Sequence, residues 1–166
     1  MICLPKEFLK NFYSEHCDNV DKIFTNNCKE NNCKLSGVPR NSIILDGDNI
    51  EKCFSNDQLD NSADRIIILN NGDNAVDILV CELSKGERHP KLIEDKIINT
   101  SEHIVNCFKS SDFEINRFKC CYVGQYESIY KGVMKKKTPT IKIPNFNRKN
   151  IMIKRVNCES SFYEVM

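Results

Sequence analysis

The chain predicts an α/β protein in which a mixed central β-sheet is flanked by helices. Three observations carry this. Two near-continuous aliphatic runs within residues 64–84 flank a turn-rich centre, which is the pattern of paired strands buried on both faces. Behind them Ile93, Ile97, Ile104 and Phe108 fall about a helical turn apart. The stretch Arg117-Phe-Lys-Cys-Cys-Tyr-Val123 then offers another strand. At 166 residues the chain suffices for one domain, burying about 70% of the surface its unfolded form would expose.

Taken in order, residues 1–35 read as an N-terminal helix and loop. Pro5 suits a first helical turn, and Phe8, Leu9 and Phe12 follow at helical spacing, with a continuation towards Val20, Ile23 and Phe24. The Asn-rich stretch 26–32 reads as a loop. Residues 42–123 form the core sheet with its helix. Ser42 to Leu45 is a short strand ended by the turn signal Asp46-Gly47-Asp48, and residues 49–59 hold a short helical turn. Pro90 opens the long helix. The strand at 117–123 stops at Gly124. Residues 131–156 form a basic C-terminal part with two short strands, 140–143 and 151–156.

The formal net charge of +1 hides an asymmetry. Nine Lys or Arg and no acid lie between Lys131 and Arg155, whereas the first 130 residues carry fifteen bases against twenty-one acids. Such a basic segment suits an anionic polymer, and Lys135, Lys136, Lys137, Arg148 and Lys149 are its candidate phosphate contacts. Nucleic acid is therefore the expected partner. No apolar run is long enough for a membrane span, and Lys6, Glu7 and Lys10 interrupt any signal-peptide core. With Cys81, Cys120 and Cys121 inside apolar runs, the ten cysteines read mainly as reduced thiols of a cytoplasmic protein. His16, Cys17, Cys28 and Cys33 form a possible zinc set, although only Cys28 and Cys33 have ligand-pair spacing, so zinc is not expected. A homodimer or a partner protein is compatible with this size, without an interface signal.

The chemistry concentrates in the hairpin. If its loop is Gly72-Asp73-Asn74, with Asn74 left-handed, Asp64 faces Glu82 directly, and opposed residues have Cβ atoms roughly 4.5–5.5 Å apart. Two carboxylates so placed repel unless a cation lies between them, and Mg²⁺ or Mn²⁺ suits such oxygen donors. The competing two-residue Asn71-Gly72 turn would set Asp64 opposite Leu79 and send Glu82 to the other face.

An Asp at the start of one strand, a hairpin, and an apolar strand ending Val80-Cys81-Glu82-Leu83-Ser84-Lys85-Gly86 ahead of a helix resembles the PD-(D/E)xK, or restriction-endonuclease-like, nuclease superfamily. The resemblance implies a small single-domain fold of that type and metal-dependent hydrolysis of nucleic-acid phosphodiesters. It implies that Asp64 and Glu82 bind Mg²⁺ or Mn²⁺, with Lys85 beside the attacking water. The usual Glu-x-Lys is here Glu82-x-x-Lys85, with Ser84 in the lysine position, so strand parity turns Lys85 away unless the strand bulges or ends before Gly86. Ala63 stands in place of the family's Pro. The acid of the first helix is Glu7 or Glu15. His89 and Lys96 flank the site on the next helix. The alternative is a catalytically inactive relative that serves as a nucleic-acid-binding or protein-interaction subunit.

Overall fold

The computed structural model describes residues 3–54, 61–84, 90–124 and 140–166. Helix α1 (Pro5–Ser14) begins at its proline, and Glu7 closes the first turn by accepting from the Leu4 amide at 3.3 Å. The expected continuation towards Phe24 does not form. Asp18 and Asn19, whose side chains compete for backbone hydrogen bonds, give way to a 3-10 turn (Val20–Ile23) and strand β1 (Phe24–Thr25). The Asn-rich stretch is likewise more than a loop. It contains a small hairpin, β2 (Lys29–Glu30) and β3 (Cys33–Lys34), turned at Asn31 with φ 52°, a conformation asparagine tolerates.

Strand β4 (Ile43–Asp46) runs straight into helix α2 (Gly47–Phe54), so the expected Asp46-Gly47-Asp48 turn is a strand-to-helix junction. Asp46 Oδ1 accepts from the Asn49 amide at 3.2 Å, an N-cap contact that starts the helix at once. Strands β5 (Arg65–Asn70) and β6 (Ala75–Ser84) form the hairpin, and α3 (Pro90–Lys109) carries the chain to β7 (Glu114–Gly124). Strands β8 (Thr140–Ile141) and β9 (Ile151–Val156) and a final turn of helix, α4 (Phe162–Val165), complete the described chain.

The sheet order is β1-β4-β5-β6-β7-β9-β8. From β1 to β6 neighbours are antiparallel, β6, β7 and β9 are parallel, and β8 returns antiparallel, so the sheet is mixed as expected. Joining parallel β6 to β7 requires a crossover, and α3 is that crossover. On one sheet face Ile66, Ile68, Ile78 and Val80 pack with Leu9, Ile97 and Ile104 from α1 and α3. On the other face Ile67, Leu79 and Leu83 pack with Leu35 and with Phe162 of α4. Residues 76–84 are therefore buried on both faces, which explains their unbroken apolar run.

Strand β7 starts three residues before the expected Arg117. Its register against β6 passes from Val76–Ile115 to Asp77–Arg117, leaving Asn116 as a bulge. Buried Asp77 holds that bulge, accepting from the Arg117 guanidinium at 2.9 and 3.2 Å and from the Asn116 carboxamide at 3.0 Å. Strand β8 stops short of 143, since Pro144 and the left-handed Asn145 (φ 62°) turn the chain there.

Four cysteines depart from the expected free thiols. Cys17 is bonded to Cys53, which joins α1's exit to α2, and Cys33 to Cys158, which joins the β2–β3 hairpin to the C-terminal segment. Because Cys17 and Cys33 are bonded outside the group, His16, Cys17, Cys28 and Cys33 do not assemble as a ligand set. Cys81, Cys120 and Cys121 are free and buried as expected. Burial pushes the Cys120 thiol up to about 12, so it is not a ready nucleophile. The Cys33–Cys158 bond closes a separation of 125 residues. Its loss through Cys158→Ser is expected to lower unfolding stability by about 3–5 kcal/mol in the chain-entropy account, measured by urea denaturation.

Candidate functional site

The hairpin decides whether the acidic residues meet. Its register pairs Arg65 with Cys81 and Asn70 with Val76, and the closing bonds run from the Asn71 amide to Ala75 and from the Ala75 amide to Gly72. Gly72, Asp73 and Asn74 all have positive φ (74°, 46° and 58°), so the loop is the three-residue one and not Asn71-Gly72 alone. Extending this register by one place sets Asp64 opposite Glu82. Asp64 Oδ2 accepts from the Leu83 amide at 2.7 Å, which fixes its carboxylate at the end of β6.

Two further elements bring carboxylates to this end of the sheet, beside Asp64 at the start of β5. Gly47 at the start of α2 donates its amide to the Asp64 carbonyl at 3.0 Å, bringing Asp48 beside Asp64. A Cβ at Gly47 would lie 1.7 Å from the Ala63 carbonyl oxygen, so only glycine permits this approach. The third contributor is Glu30 of β2. Arg65, buried, holds that hairpin in place by donating to the Asn27 carbonyl at 3.3 Å and the Lys29 carbonyl at 2.6 Å. Its guanidinium also lies 3.4 Å from Glu30 and 3.8 Å from Asp46.

The result is a group of carboxylates from Glu30, Asp48 and Asp64, one oxygen from each lying within 4.8 Å of the others. Glu30 is half-buried, Asp48 exposed and Asp64 only 6% exposed. Burial raises the Asp64 carboxyl to about 6, with the neighbouring Glu30 and Asp48 charges adding to the rise and the Leu83 amide and Lys96 opposing it. A divalent cation bound to the three oxygens would relieve this repulsion, and an all-carboxylate donor set is of the hard type that Mg²⁺ and Mn²⁺ accept.

Glu82 is not one of the three. It is 1% exposed, and its Oε1 accepts from Lys96 Nζ of α3 at 3.1 Å. The Lys96 ammonium also acts on Asp64 and on Glu51, which accepts from the Ser62 amide and hydroxyl. Lys96 is thus a cation of the site, as Arg65 is beside Glu30. Replacing Lys96 by Met leaves the Glu82 charge buried without that ammonium and is expected to cost about 3 kcal/mol; adding Glu82→Gln should recover most of the loss in thermal unfolding.

Asp64 and Glu82 are therefore brought to one strand end, with Glu82 committed to Lys96. Lys85, His89 and the run Lys135, Lys136 and Lys137 lie outside the described residues. Glu7 caps α1 and Glu15 ends it, and neither joins the carboxylate group. Arg148 is tied to the β7 bulge, donating to the carbonyls of Ile115 and Asn116 and lying over the Phe146 ring at 5.3 Å. Along β7 that bulge stands about 20 Å from Tyr122, the partner of Glu82. Arg148 and its exposed neighbour Lys149 thus lie near the opposite end of the sheet from the carboxylates.

Sequence reasoning missed Glu30 and Asp48. For Asp48 the signal was present: a short aliphatic strand followed by Asp-Gly-Asp is also a helix N-cap pattern. Glu30 had no local signal, because its position depends on the distant Arg65. No protein-family model matches this chain, and searches of curated proteins and of solved structures found no match either.

Proposed function

We propose that this protein is a metal-dependent phosphodiester hydrolase acting on nucleic acid, built on the PD-(D/E)xK plan with a rearranged set of site residues. The observation that carries this is the three-residue hairpin loop, which sets Asp64 against Glu82 at the strand end where Glu30 and Asp48 also arrive. The element order supports it: an acid at the start of β5, a tight hairpin, an apolar β6 ending in Glu82, and a helix leading to a parallel strand. In this assignment Asp64, Glu30 and Asp48 hold Mg²⁺ or Mn²⁺. When bound, such an ion supplies Lewis-acid polarisation of a phosphate and a more acidic water. Glu82 orients Lys96, whose ammonium takes on the role of the motif's lysine and stabilises negative charge on a phosphate.

The runner-up is a relative without hydrolytic activity that binds nucleic acid or a partner protein. The closed Glu82–Lys96 pair favours it, because an ion-paired carboxylate is a poorer metal ligand. Incubation of labelled single- and double-stranded DNA and RNA with the protein and Mg²⁺ separates the two. Hydrolysis that disappears in Asp64→Asn and Asp48→Asn supports the enzyme, and binding without hydrolysis supports the runner-up.

No helix among the described residues is long and apolar enough to cross a membrane. For the compartment, the two disulfides favour an oxidising setting over the cytoplasm expected from the sequence.

A further inference from the structure

Next to the carboxylate group, and lined in part by residues 25–29, lies a cavity of about 680 Å³ that the hydrolase assignment does not use. Its volume falls in the range of small-molecule sites. Lys29, Lys34 and Arg40 line it, and no acidic residue among the described residues does. Lys34 shares its charge with exposed Glu159 at 3.8 Å, whereas Lys29 and Arg40 form no ion pair among the described residues. Cations gathered round one concavity repel one another, and an anion that enters relieves them. Ser42 also lines the cavity, and its hydroxyl is buried without a hydrogen-bond partner among the described residues, which is costly unless a ligand or water satisfies it. The remaining lining is mixed: Val38 and Pro39 are half-buried and apolar, Thr25, Asn26, Asn27 and Ser36 are polar, and Leu35 and Ile44 belong to the buried core.

We propose that this cavity binds a nucleoside monophosphate, its phosphate held by Lys29 and Arg40 and its base resting on Val38 and Pro39. A phosphomonoester brings close to two negative charges and several acceptor oxygens, which matches a cationic rim with an unsatisfied hydroxyl. Inorganic phosphate would meet the rim and leave Val38 and Pro39 in water. The inference stands apart from the hydrolase assignment and needs no metal.

The test is calorimetric titration of the full chain with AMP and with UMP, in the presence of EDTA to keep the carboxylates metal-free. Adenosine, uridine and inorganic phosphate are titrated in parallel. The expected result is that at least one monophosphate binds about tenfold or more tightly than its nucleoside and than phosphate. Arg40→Gln and Lys29→Gln, both at exposed positions, should each weaken it about tenfold while far-UV circular dichroism stays unchanged. The proposal is overturned if neither monophosphate binds, if nucleoside or phosphate binds equally well, or if both variants bind as the parent does.

Discussion

Asp64→Asn is expected to stabilise the metal-free protein above about pH 6 and to remove its response to Mg²⁺. The Asp64 carboxyl titrates at about 6 in the folded chain against an ordinary 3.8, because burial and the carboxylates of Glu30 and Asp48 disfavour its charge. The folded state therefore holds this proton more tightly than the unfolded state does. Stability contributed by the protonated group is complete below about pH 4 and is lost as pH rises through about 6. A shift of this size corresponds to at most about 3 kcal/mol, reduced by residual solvent and by relaxation of the neighbouring acids. Asparagine keeps an acceptor for the Leu83 amide and carries no charge, so the variant should match the parent near pH 4 and exceed it near pH 8. Adding Mg²⁺ should raise the parent's melting temperature increasingly as pH passes about 6 and leave the variant unmoved. A parent whose stability rises between about pH 4 and 7, measured against Asp64→Asn, would contradict this account of the site.

Gly47→Ala is expected to have the second large effect, and to act on shape rather than charge. Its added Cβ would meet the Ala63 carbonyl oxygen at 1.7 Å and the Ala63 carbonyl carbon at 2.9 Å, both backbone atoms that no rotamer change can clear. The start of α2 must then move away from Asp64, carrying Asp48 with it. The expected cost is about 1–3 kcal/mol or somewhat more, together with loss of Mg²⁺-dependent stabilisation. Gly72→Ala is the matched control. Its Cβ enters open space, so only the left-handed backbone (φ 74°) opposes it, at about 1 kcal/mol, and the Mg²⁺ response should survive. Urea unfolding with and without Mg²⁺ reads both variants. Equal loss of the metal response in the two would show that the strand-to-helix junction does not position the carboxylates.

The parts of the fold legible in the sequence were those fixed by local chemistry. Residues 64–84 announced a buried hairpin because both faces of β5 and β6 are covered, and Asn74 next to Gly72 and Asp73 accommodates the left-handed turn that sets the register. Pro90 and the helical spacing behind it gave α3. What stayed hidden depends on partners far apart in the chain. Arg65 reads as one cation among aliphatics, yet by reaching the carbonyls of Asn27 and Lys29 it brings Glu30 to the carboxylate group. Gly47 and Asp48 read as a turn because their helical role depends on Gly47 nesting against Ala63. The β7 bulge rests on Asp77, an acid within an apolar run, and the cysteine pairings join positions that spacing alone does not connect.

Direct titration of a divalent cation tests the central claim, that Asp64 anchors a metal site with Glu30 and Asp48. Mn²⁺ titrated into the full chain near pH 8, followed by calorimetry and by the loss of the free-ion paramagnetic signal, should reveal one site. That site should be lost in Asp64→Asn and weakened about tenfold or more in Asp48→Asn. Absence of binding, or binding unchanged in both variants, would contradict the account.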